Sequence, residues 1–129
     1  MSRLLAATLA YHQSDRLVGT PMDVFLALND GLLRHLNAAR TAYRQNQLDR
    51  MCRHSQKSLR IVLAIIGAFD PLSKQKGQRE LRGFYTAAWR TITGVLSSPC
   101  PHSEFDDLIE RLQTLVTGLR ESRRQECAG

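Results

Sequence analysis

Thr20 to Tyr43 reads TPMDVFLALNDGLLRHLNAARTAY, a helix start followed by two apolar stripes. Thr20 is placed to accept a backbone N–H as N-cap, Pro21 suits the first helical position, and Asp23 sits where a capping-box acid meets the positive end of the helix dipole. Phe25, Leu28, Leu32, Leu36, Ala39 and Tyr43 recur at gaps of three and four, so they share one helix face and predict a core stripe. Met22, Leu26 and Leu33 project roughly 80–100° from that stripe and form a second, shorter one that a single neighbouring layer does not cover. Another helix, a folded-back terminus or a partner chain must cover it.

Outward from this stretch the same period returns three times. Arg44 to Gln47 is a polar connection of the length that joins antiparallel helices. Beyond it, Leu48, Met51, Cys52, Ser55, Leu59, Val62, Leu63, Ile66 and Phe69 predict a core face opposite Arg50, Arg53, Lys57 and Arg60. Ile61 and Ile65 lie roughly 80–120° off that face, in a stripe shared with His54 and Ser58, and predict a second apolar surface. Asp70-Pro71 ends the helix, and Ser73 to Gly77 has a loop composition. A third helix turns Leu81, Phe84, Tyr85, Ala88, Ile92 and Val95 inward, with Trp89 at the edge of that face. After the break at Ser97 to Pro101, Ser103 and Asp106 set a second capping box, and Phe105, Leu108, Leu112, Leu115 and Leu119 have the spacing of a bundle seam.

The expectation is an all-α protein: an up-down-up-down antiparallel four-helix bundle with helices at 20–44, 48–70, 79–97 and 103–124 in one domain spanning 1–129. The segment 1–19 is too apolar at Leu4, Leu5, Leu9 and Tyr11 to sit in water, so it is expected to pack across the bundle and to leave when a partner arrives. The last five residues are expected to fray.

At 129 residues the chain can bury a core without disulfides or metal. No apolar run approaches the roughly 20 residues of a membrane span. Arg3 and the apolar run Leu4 to Ala10 faintly resemble a secretory signal, but seven apolar residues are the lower limit and Tyr11, His12 and Gln13 make a poor cleavage region. Cys52, Cys100 and Cys127 are odd in number and scattered, which argues for a reducing compartment, and the cytoplasm is expected. Neither Cys100-Pro101-His102 nor Cys52-Arg53-His54 makes a four-ligand metal set, so no metal is expected. Cys52 reads as a small buried hydrophobe and His35 as a hydrogen-bonded side chain at the stripe's margin. Asp106 and Asp107, adjacent on a helix, point apart and serve as helix-start charge. With no nucleophile–base pattern or phosphate loop, neither an enzyme nor a cofactor is expected. The net charge of +6 is spread over every segment without aromatic interleaving, which favours a solvated basic surface over nucleic-acid binding.

Several motifs in register carry a resemblance. Ala10-Tyr11-His12-Gln13, the opening Thr20-Pro21, Asn29-Asp30-Gly31-Leu32-Leu33-Arg34-His35-Leu36, then Phe69-Asp70, Gly77 and Glu80-Leu81-Arg82-Gly83-Phe84-Tyr85 are similar in order and spacing to the flagellar export chaperones of the FliS family. Asn29 stands where that family has a tyrosine, a single Gly77 where its second linker has paired glycines, and Trp89 where a polar residue is common. The resemblance covers roughly residues 10–120. It implies a cytoplasmic chaperone without catalysis that binds the disordered C-terminal segment of flagellin, prevents premature polymerisation and delivers it to the flagellar export apparatus. On the apolar-stripe reading the partner-binding residues are Tyr11, Met22, Leu26, Leu33, Ile61, Ile65 and Trp89. The competing readings are a basic nucleic-acid-associated bundle and a module that forms a homodimer.

Overall fold

The computed structural model describes residues 21–69, 74–95, 97 and 102–128, and among them it contains four helices and no strand. They are α1 (Pro21–Arg44), α2 (Leu48–Gly67), α3 (Lys76–Val95) and α4 (His102–Ala128). α1 packs on α2 and α4, and α3 packs on the same two helices. The α1–α2 seam is the most intimate and the α3–α4 seam the most open. Thr20, Tyr11 and the rest of the N-terminal segment lie outside the described residues, as does Asp70-Pro71.

α1 ends through Asn46, whose φ of 58° is left-handed. Asparagine tolerates this conformation better than most residues, and here it lets Asn46 N–H donate to the Tyr43 carbonyl and Gln47 N–H to the Ala42 carbonyl, at 3.0 and 2.8 Å. These two bonds satisfy carbonyls that the helix end would otherwise leave open, and they turn the chain within three residues. α2 then runs back along α1: His54 meets His35 near the turn, and Ile61 meets Gly31 further out. α2 closes with Ala68 and Phe69 N–H groups donating to Ile65 and Ile66, a tightened last turn that places Phe69 in the core.

The core forms along facing stripes of all four helices: Phe25, Leu32 and Leu36 of α1, Val62 and Ile65 of α2, Tyr85 and Ile92 of α3, and Phe105 and Leu112 of α4. Asn29 is also fully buried. Its Nδ2 donates to the Phe25 carbonyl at 2.9 Å, and its Oδ1 accepts from the Tyr85 hydroxyl at 2.5 Å. The position where the resembling family carries tyrosine thus holds a side chain whose two polar ends are both satisfied in the core.

α2 departs from its expected face. Its buried residues are Met51, Ser55, Ser58, Val62 and Ile65, whereas Leu48 and Leu63 are 56% and 49% exposed and Cys52 is half-buried. Ile65, expected off the core, is completely enclosed. The inward stripe is therefore rotated toward the serines. Small side chains at 55 and 58 allow a neighbouring backbone to come close, and the Ser58 hydroxyl is silenced by donating to the His54 carbonyl at 2.9 Å.

α3 starts three residues earlier than expected, at Lys76, and Gln78 in its first turn is buried. α4 continues to Ala128, past the expected end at 124. Asp106, about one turn from the start of α4, accepts from Arg40 at 2.8 Å, while Arg120 pairs with Asp30 toward the other end of the helix. These ion pairs hold α4 against α1.

Candidate functional site

The open α3–α4 seam is a groove whose floor is built from the inner edges of the two helices. On α3, Phe84, Ala88 and Thr91 recur at gaps of four and three, so they line one edge, and Ala87 adds a small exposed residue beside them. On α4 the matching edge is Leu108 and Leu115, with Glu104, Asp107, Glu110 and Arg111 above it. One end of the groove is a hollow of about 530 Å³ between Phe84, Leu115 and Thr114, rimmed by Asp107, Glu110 and Arg111. A narrower hollow of about 160 Å³ continues past Phe84 toward Thr91 and Glu104.

Phe84 is the fixed point of this floor. Its ring stands edge-on to Tyr85 at 5.1 Å and 89°. Tyr85 is in turn held edge-on by Phe25 at 6.1 Å, flanked by Phe69, and tied by its hydroxyl to Asn29. Burial drives the Tyr85 hydroxyl pKa far above its usual value, a rise that the Asn29 hydrogen bond only partly opposes, so this residue is a neutral donor and a rigid support. A half-exposed aromatic backed in this way is the kind of anchor that loses little conformational freedom when a partner covers it. The groove sets the apolar surface of Phe84, Leu108 and Leu115 beside Glu104, Asp107, Glu110 and Arg111.

The residues that sequence reasoning nominated do not form one surface. Met22 and Leu33 are half-buried and Leu26 is buried. They lie on the flank of α1 that carries Arg40, which reaches α4. Ile61 lies on the opposite flank, 3.5 Å from where a Cβ on Gly31 would stand. Ile65 is core and, like Leu26, can be reached only if helices part. Trp89 is half-buried on α3 against the core, and Tyr11 lies outside the described residues. Conversely, Phe84, Leu108 and Leu115 read in the sequence as inward seam residues. The signal that could have marked them is the small Gly83 and Ala87 on either side of Phe84, which leave its ring without cover from its own helix.

Among the described residues, no group of three His, Cys, Asp or Glu lies close enough to hold a metal ion, and no helix is long and apolar enough to cross a membrane. Comparison of the chain with protein families, with curated proteins and with solved structures finds no match.

Proposed function

We propose that this chain is a cytoplasmic export chaperone that captures the disordered C-terminal segment of flagellin, keeps it from polymerising early and hands it to the flagellar export apparatus. The helices are proposed to run up-down-up-down, with segment 1–19 across the bundle. The observation that carries the reading is the unclosed α3–α4 seam, with an apolar floor at Phe84 and Leu115 rimmed by Asp107, Glu110 and Arg111. An amphipathic segment that folds as it binds gains its affinity from burying such a floor. The sequence resemblance supplies the client. Glu80 to Tyr85, one of its motifs, contributes Phe84 to the groove.

Titration calorimetry with a flagellin C-terminal peptide tests this. Binding should persist between about 50 and about 500 mM salt, because apolar burial is not screened, and Phe84→Ser should weaken it at least about tenfold while thermal melts stay cooperative. Absence of binding, or binding that vanishes with added salt, would overturn the reading. Size-exclusion chromatography of the same samples reads whether the chain is a homodimer and whether the peptide changes that state.

A further inference from the structure

On the side of the molecule away from the groove, the α1–α2 seam carries a concentration of positive charge that the proposed chaperone role does not use. Arg50, Arg53, Lys57 and Arg60 recur at gaps of three, four and three, all exposed, along about 15 Å of the outer face of α2. Arg53, Lys57 and Arg60 have no ion-pair partner among the described residues. Arg50 is turned toward the seam by a 3.3 Å hydrogen bond to Gln47.

Beside this row, His35 and His54 face each other across the seam, Nδ1 to Nδ1 at 3.1 Å, with ring centroids 5.4 Å apart. A hydrogen bond between two ring nitrogens needs one to carry a proton and the other to be bare, so the intact pair holds at most one positive charge on that contact. Both imidazoles are held below their usual pKa, first by burial. The charges that then act on His35 are His54, Arg34 and Lys57, and on His54 they are Lys57, Arg50 and Arg53. All are cations. Next to His54 and Arg50 is a hollow of about 270 Å³ whose wall is made by Asn37, Thr41, Gln45 and Gln47, side chains able to donate hydrogen bonds to an oxyanion.

We propose that this face is a second docking site, and that its occupant is an acidic amphipathic helix of a partner protein, whose carboxylates pair with the α2 row and whose end enters the amide-lined hollow beside His54. The spacing suits a helix: steps of three and four residues rise about 4.5–6 Å, which a carboxylate row at the same spacing matches. No Phe, Tyr or Trp lies in the row or lines the hollow to stack a nucleic-acid base. An acid seated there repays the repulsion that the clustered cations exert on the two rings, so docking takes up a proton and strengthens as pH falls.

The test is fluorescence anisotropy of the full chain with a labelled alanine-based peptide of about 20 residues bearing glutamates at gaps of three and four, at constant ionic strength near pH 7.5 and near pH 5.5. Binding is expected, at least about threefold tighter at the lower pH. The double reversal Arg53→Glu with Lys57→Glu should lose at least about tenfold in affinity, and Arg53→Ala with Lys57→Ala should lose less but follow the same direction. Both pairs are exposed, so circular dichroism melts should match the parent. In His54→Asn the gain at low pH should disappear. The proposal is overturned if the parent does not bind the peptide, if neutralising the row leaves affinity unchanged, or if affinity is equal at the two pH values. It is equally overturned if a DNA duplex of equal charge binds more tightly than the peptide, which would make this a nucleic-acid face.

Discussion

Tyr85 of α3 and Asn29 of α1 are hydrogen-bonded through the middle of the bundle at 2.5 Å, although α1 and α3 pack on each other at no other level than side chains. Together with the edge contact between Phe25 and Tyr85, the bond joins two helices whose backbones do not approach each other closely, and it supports the ring of Phe84 at the groove floor through the edge contact with Tyr85.

Removing one partner of this bond should cost more than removing both. Tyr85→Phe leaves Asn29 Oδ1 buried without a donor and should destabilise by about 1–3 kcal/mol in denaturant titration, whereas Tyr85→Phe combined with Asn29→Leu should recover part of that loss. Additive costs in the double variant would show that the pair is not coupled.

The rotated face of α2 makes a sharp contrast between neighbours. Ile65→Ala opens a cavity in the sealed core and should cost about 2–5 kcal/mol, as should Leu112→Ala on α4. Leu63→Gln, two residues before Ile65 and half exposed, should change stability by no more than about 0.5 kcal/mol. Similar losses at 63 and 65 would restore the face that periodicity alone suggests.

Gly31 sits in the interior of α1, where glycine lowers helix stability by roughly 0.5–1 kcal/mol relative to alanine. A Cβ there would lie 3.5 Å from Ile61 Cδ1, an ordinary contact. Gly31→Ala should therefore raise the melting temperature, and Gly31→Leu, which overfills the seam, should lower it.

The histidine pair gives stability a pH dependence with a definite sign. Folding depresses the pKa of both rings, so well above about pH 6.5 neither state is protonated there and the full contribution is present. As pH falls below that value the unfolded chain takes up protons that the folded one resists, and stability declines until the folded rings are protonated too. Melting temperatures recorded from about pH 7.5 to about pH 5 should fall, and His54→Asn should flatten the slope. A melting temperature that rises over this window would contradict the assignment.

Much of the helical architecture is written in local pattern. Gaps of three and four mark Leu32, Leu36 and Ala39, then Tyr85, Ala88 and Ile92, then Phe105, Leu108 and Leu112, and each set is buried. Those spacings depend only on the 3.6-residue turn, so they can be read without knowing any neighbour. Adjacent Asp106 and Asp107 were also legible as divergent: the first pairs with Arg40 on α1, and the second lines the groove facing α3.

Tertiary structure decided what the turn period leaves free, namely how closely each pair of helices approaches. Hydrophobicity ranks Leu63 above Ser58, yet Ser58 is buried and Leu63 is not, because the intimate seam favours the smaller side chain and one step of rotation carries the larger out to solvent. The same distances bring His35 to His54, which are 19 residues apart and whose meeting is set by the turn at Asn46. They also leave the α3–α4 side unclosed, so that Phe84 and Leu115, seam residues by their spacing, line a groove instead. A one-dimensional pattern fixes the angle of a side chain about its own helix, and only packing fixes what stands opposite it.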